Sequence, residues 1–235
     1  MSRRTRLIVK GIVWAVALLP LVELLYRLST DRLGPNPISY ATNLLGDTTL
    51  RLLLASLAMT PLRMLFGIAW QMSLRRLLGL FAFFYACLHF LVWVLVDHFF
   101  EWQEMIADVV KRPYITVGVL ALTLLTPLAA TSTVGAIKRM GAKNWRRLHR
   151  LVYVVGVLGV LHYLWLAKKG VNDPFLYAGV LALLFGIRLW DWARRAVRRT
   201  QQGSPPTNRL WAIARFPSGG RAVPVSESPG TPAGP

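Results

Sequence analysis

Three of the four histidines stand in or beside uncharged apolar runs. His89 lies within the run 77–96, and His149 and His162 lie near the two ends of W-R-R-L-H-R-L-V-Y-V-V-G-V-L-G-V-L-H-Y-L-W, residues 145–165. Apolar runs of this length read as membrane helices, where an imidazole is costly and by default marks a functional site. Neutral imidazole is an axial ligand of haem iron, so two histidine-bearing membrane helices point to haem held between helices. At a rise of ~1.5 Å per residue, His149 and His162 stand roughly 20 Å apart, one near each face of a hydrocarbon core about 30 Å thick. The competing reading of His89 and His162 is hydrogen bonding between helices. For His149, set among arginines at a membrane boundary, it is a solvated or headgroup-facing role. His98 follows Asp97 and is turned ~180° from His89 on an ideal helix, which reads as an interfacial residue and excludes it as a ligand.

The elements that must position these side chains follow from composition. The chain has 235 residues, of which 54% are hydrophobic and 16% charged, against about 25% charged in soluble proteins. Mean hydropathy is +0.45. The expected fold is all-α, a polytopic membrane bundle of six transmembrane helices. A net charge of +18 could indicate nucleic acid, but the basic residues cluster beside apolar runs, which is a topology signal. No nucleic-acid partner is expected; the bilayer is. The single cysteine, Cys87, excludes an intrachain disulfide, and a Cys-ligated iron–sulfur cluster needs about four.

The spans are expected at about 7–26, 48–66, 77–96, 114–134, 145–165 and 173–190. The basic start and short apolar run would also suit a cleaved signal peptide, but V-E-L-L-Y-R follows instead of a small-x-small site. Residues 27–46, centred on G-P-N-P, read as a loop. The second span carries Arg51 and Arg63 near its two ends, where both would have to snorkel, and Pro61 as a kink. Residues 1–199 form the membrane domain. Residues 200–235, rich in Pro, Gly and Ser, read as a disordered cytoplasmic tail.

Alternate loops collect eighteen basic residues on the side of the termini and seven on the other. The positive-inside rule therefore puts both termini in the cytoplasm. Span three then runs outward and carries His89 ~22 Å along it, in the outer half. His162 shares that depth on span five, so one bis-histidine haem between spans three and five is expected. His149 is left at the inner surface. Fourteen residues before His89, on nearly the same helix face, stands Arg75. On an ideal helix His162 is rotated about 140° from His149, with Gly156 and Gly159 between them as sites of distortion or close approach.

R-R-L-L-G-L at 75–80, L-H at 88–89, R-P-Y-I-T-V-G at 112–118, T-S-T at 131–133, W-R-R-L-H-R-L-V-Y at 145–153 and H-Y-L-W at 162–165 resemble the MsrQ (YedZ) family. These are the haem-binding membrane subunits of bacterial periplasmic methionine sulfoxide reductase systems, in the ferric-reductase-like transmembrane superfamily. The resemblance spans about 6–195, in matching order and spacing. It implies a six-helix, multi-pass protein of the bacterial inner membrane carrying heme b, one or two, with FMN as a further cofactor. It implies electrons drawn from membrane quinol and passed to MsrP, a periplasmic molybdopterin-dependent subunit that reduces methionine sulfoxide in oxidised proteins. His89, His149 and His162 are the implied haem ligands. The superfamily's eukaryotic oxidases have two histidines on the third span, and this chain has one. Arg75, protonated and so a poor iron ligand, would instead neutralise a haem propionate or a flavin phosphate. The resemblance locates neither the FMN nor the quinone on any residue.

Two other functions compete. A complete NADPH-dependent or ferric reductase needs a flavin- and nicotinamide-binding portion of ~100 residues or more. Only a short proline-rich segment without G-x-G-x-x-G follows the last span, so the chain reads as an electron-transfer subunit fed by another molecule. A haem-free scaffold or transporter would show no b-type spectrum.

Overall fold

The computed structural model describes residues 3–67, 70, 72–166 and 173–202. The regular elements among them are all helical. They are α1 (Arg3–Ser29), α2 (Pro37–Phe66), α3 (Met72–Val92) continued by a π turn (Trp93–Asp97), α4 (Trp102–Lys111), α5 (Pro113–Ala130), α6 (Val134–Met140), α7 (Ala142–Leu148), α8 (Leu151–Leu166) and α9 (Asp173–Gln202). Among the described residues six segments are long and apolar enough to cross a bilayer: Arg4–Ser29, Pro37–Phe66, Ser73–Asp97, Pro113–Ala130, Ala142–Leu166 and Asp173–Arg198. The chain is thus an all-α polytopic helix bundle. Leu7, Ile8, Ile12 and Leu19 of α1 are all largely exposed, which suits hydrocarbon as their solvent.

The chain forms two compact units, Met1–Asp191 and Trp192–Pro235. Of the second, the described residues are the last turns of α9. The tail expected over 200–235 lies outside the described residues after Gln202, as do Lys168 and Lys169, counted above among the basic residues.

Within the first unit α2 is the hub. Its Leu50, Leu54 and Leu57 pack with Val160 of α8 and with Leu181 and Leu184 of α9. Leu45 meets Ala17 of α1 and Phe81 and Tyr85 of α3, and Leu53 meets Ala82, Leu125 and Val155. Lipid tails are as apolar as leucine, so close packing and internal hydrogen bonds hold such helices together. Tyr85, fully buried, donates its hydroxyl to the Ala17 carbonyl at 2.6 Å. Arg188 of α9 donates to the Leu57 carbonyl. Pro61, four residues ahead, has no N–H for that carbonyl, so the arginine takes the place of the helix's own donor.

Two expectations are corrected. Residues 37–46 are helix rather than loop. Asn36 caps α2 by accepting the Ser39 N–H at 3.0 Å, and Pro37 occupies the first turn, where a missing N–H costs nothing. Arg51 consequently lies at the middle of α2, and it bonds Tyr177 in the second turn of α9. The stretch 145–165 is two helices, α7 and α8, broken at His149–Arg150. Gly156 and Gly159 lie inside α8 and admit Leu57 and Leu50 of α2 to close approach.

Beyond span three the chain turns through Phe99 and Phe100, both at positive φ (44° and 66°), into α4. His98, just past the end of that span, is half-buried, its side chain 10% exposed. Its Nε2 lies 3.2 Å from an Asp108 carboxylate oxygen, and its ring centroid is 4.7 Å from that of Trp93, the planes tilted by 53°. It ties the end of span three to α4.

Candidate functional site: two imidazoles between helix hairpins

Successive spans alternate in direction. The α2–α3 pair brings Thr42 to His89 at one end and Ser56 to Arg75 toward the other. The α5–α8 pair brings Tyr114 to His162 and Thr131 to His149. The end at which α3 and α8 begin is called the near end; His89 and His162 lie toward the far end.

His89 and His162 stand with ring centroids 6.2 Å apart and planes at 86°. Each ring is anchored the same way. His89 Nδ1 is 2.9 Å from the Thr42 carbonyl of α2, and His162 Nδ1 is 2.7 Å from the Tyr114 carbonyl of α5. A carbonyl only accepts, so both rings donate from Nδ1–H, and the neutral imidazole then carries a lone pair on Nε2.

Both carbonyls belong to helices whose own ladder already uses them, and in both cases the residue four positions ahead is glycine. A helical Cβ leans toward the helix N-terminus, over the preceding turn. Gly46 lies four ahead of Thr42, and a Cβ there would stand 3.2 Å from His89 Nδ1. Gly118 lies four ahead of Tyr114, and a Cβ there would stand 2.9 Å from His162 Nδ1. Each glycine opens a window through which the ring reaches the carbonyl. The device recurs at a third place: Ser56 donates to the Arg75 carbonyl at 2.8 Å, with Gly79 four residues ahead.

This pair fits an iron with two axial imidazoles. Metal–nitrogen distances near 2 Å on opposite sides of one ion place ring centroids roughly 6 Å apart. Nδ1–H held by a backbone carbonyl is the usual support of a metal-bound histidine. Among the described residues no three His, Cys, Asp or Glu side chains converge on one point; a macrocycle brings its own four nitrogens and needs two.

His149 is placed differently. It caps α7 and stacks on Trp145 at a centroid distance of 4.0 Å. Its Nε2 is 3.1 Å from Thr131 Oγ1. That hydroxyl gives its hydrogen to the Pro127 carbonyl at 2.6 Å, so it accepts from His149 Nε2–H. Trp145 Nε1 donates to the Thr131 carbonyl at 3.0 Å. The T-S-T and W-R-R-L-H motifs therefore meet at the near end. Arg75 is close enough to His149 for their charges to interact, and its guanidinium lies 3.4 Å from Thr60 Oγ1.

The sequence agrees with this architecture. The family described as the ferric reductase like transmembrane component matches residues 45–160. The protein-methionine-sulfoxide reductase heme-binding subunit MsrQ of Herminiimonas arsenicoxydans is 49% identical, over 84% of this chain and 92% of its own. The MsrQ of Rhodospirillum rubrum is 50% identical, over 83% and 92%. This chain belongs to the MsrQ family. The MsrQ of Xanthomonas campestris pv. campestris is 47% identical, over 77% and 83%. As an MsrQ the chain keeps His89 and His149 within the ferric-reductase-like segment, whereas His162 falls just past its end. Sequence reasoning missed Gly46, Gly118, Thr42 and Tyr114. The signal was there as a glycine four residues after a potential anchor, but it has meaning only once the facing histidine is known.

Proposed function

We propose that this MsrQ-family chain is the heme b-containing electron-transfer subunit that carries electrons from membrane quinol to a periplasmic molybdopterin-dependent methionine sulfoxide reductase, MsrP, for repair of oxidised periplasmic proteins. The observation that carries this reading is the His89–His162 pair, two imidazoles at 6.2 Å, each anchored through Nδ1. The relatives' names, which say heme-binding subunit, support it. Haem, when bound, supplies a one-electron carrier inside the bilayer. His89 and His162 would hold it through Nε2. The Thr42 and Tyr114 carbonyls fix the tautomer and raise the basicity of both rings.

At the near end His149 would ligate an inner haem once its Nε2 leaves Thr131, and Arg75 would meet a haem propionate or the phosphate of FMN. The charge asymmetry of the loops supports placement in the bacterial inner membrane with both termini cytoplasmic. In this role the chain is a redox subunit and its partner holds the catalytic centre.

The test is electron flow in membranes containing the chain. A quinol should develop the reduced b-type bands, and the periplasmic partner should discharge them. Rapid reduction of the purified protein by NADPH alone, with no flavin reductase, would contradict the proposal.

A further inference from the structure

Between the third and fourth spans stands a helix too short to cross a bilayer, yet apolar along part of its outside. α4 has ten residues, Trp102–Lys111, about 15 Å of helix against a hydrocarbon core about 30 Å thick. It starts shortly after Asp97, where the third span ends, and Pro113 opens the fourth span just beyond it. Both of its ends are therefore held at the far end of the bundle, where spans meet water.

At about 100° per residue the helix has three sides. Met105, Asp108 and Val109 share the first, which faces the protein. Met105 is buried, and the Asp108 carboxylate lies 3.2 Å from His98 and 3.3 Å from Arg112. The Val109 carbonyl accepts from the Thr116 hydroxyl of α5. These contacts fix which way the helix is turned. Gln103, Glu104 and Lys111, all exposed, share the second side. Trp102, Ile106 and Val110, at intervals of four, form the third side as an apolar stripe, and they are 62%, 65% and 78% exposed. Phe99 and Phe100, which lead into the helix, are 73% and 54% exposed.

The surface that covers this stripe is the one the spans already enter. Each end of α4 continues into a membrane span, so the stripe is held beside the bilayer whichever partner approaches from the water. Tryptophan and aliphatic residues on one side, with charged and amide residues on another, are the pattern of a helix lying at the boundary of headgroups and acyl chains. Aromatic rings at the start of such a segment suit the same level. We propose that α4 is an in-plane interfacial helix, whose partner is the phospholipid layer at the far end. Trp102, Ile106 and Val110 enter the acyl boundary, and Gln103, Glu104 and Lys111 stay in water. The inference goes beyond the proposed function and depends on neither haem nor quinol.

The experiment uses the full chain in vesicles of phosphatidylethanolamine and phosphatidylglycerol. Cys87→Ala removes the native thiol, and Gln103→Cys, Ile106→Cys, Val110→Cys and Lys111→Cys each carry one nitroxide label in that background. Oxygen concentrates in hydrocarbon and a charged nickel chelate stays in water, so electron spin resonance reads the medium around each label. The ratio of oxygen to nickel collisions should be several-fold higher at positions 106 and 110 than at 103 and 111. Equal ratios at all four, or the reverse order, overturn the proposal; water-like ratios throughout would leave the stripe open to a soluble protein instead. Should a labelled variant fail to fold, the unaltered protein decides. A diazirine dissolved in the bilayer should then mark Ile106 and Val110 and spare Gln103 and Lys111, read by peptide mass spectrometry. Marking absent from α4, or spread evenly around it, overturns the proposal equally.

Discussion

The far and near ends of the bundle use histidine in opposite ways. At the far end His89 and His162 each spend the Nδ1 proton on a backbone carbonyl, which leaves Nε2 as a lone-pair donor. At the near end His149 spends its Nε2 proton on a threonine hydroxyl and lies flat against Trp145. All three are histidines of apolar spans, so the helix each belongs to does not distinguish them. The acceptor on the neighbouring helix does. A carbonyl behind a glycine takes the near nitrogen of the ring and frees the remote one; a side-chain hydroxyl takes the remote nitrogen.

That contrast can be broken by mutation. His89→Ala or His162→Ala should abolish or greatly diminish the low-spin haem signal and lower haem content, measured by pyridine haemochrome and reduced-minus-oxidised spectra. Wild-type spectra and haem content in both variants would remove the far pair as ligands. Gly118→Ala sets a Cβ 2.9 Å from His162 Nδ1 and pushes the ring off its carbonyl. Loss of such support typically costs about 10–100-fold in metal affinity, so haem titration should show a drop of that order. Gly46→Ala, with its contact at 3.2 Å, should give the smaller loss. Unchanged haem affinity in Gly118→Ala would show that the window does not hold the ring.

At the near end the expected effects are more limited. His149→Ala should remove about one haem equivalent if two are bound, since one imidazole ligates one iron, and should leave the far spectrum intact. Unchanged haem content would return His149 to a boundary role. Arg75→Ala should weaken cofactor retention on a size-exclusion column without altering the axial-ligand bands. Arg188→Leu should leave the Leu57 carbonyl unpaired, at a cost of about 1–3 kcal/mol. A lower Tm with an unchanged haem spectrum would mark it as structural.

The six spans were legible because each is dominated by an apolar run, and counting residues along two helices that start at the same end placed His89 and His162 at one depth. The errors have physical causes. Ser39, Tyr40, Thr42 and Asn43 give the first turns of α2 the polarity of a loop, although Asn36-Pro37 is a helix start. The partners of Arg51, Tyr177 and Asp47, were not legible because they come from α9 and from one turn back on α2. The contact of His98 with Asp108, ten residues ahead, was not legible because it forms only after the chain turns at Phe99 and Phe100. The break at His149 is set by Thr131 and Trp145 together, and no periodicity within 145–165 records it.

The two anchors also bear on how the protein is made. His89 is oriented by a carbonyl of its own hairpin, α2–α3, and His162 by a carbonyl of the other, α5–α8. Each ring can be set as soon as its two helices have paired in the membrane, before the hairpins meet. Biogenesis can then proceed in modules: two hairpins insert and finish separately, and docking them completes the gap between the rings.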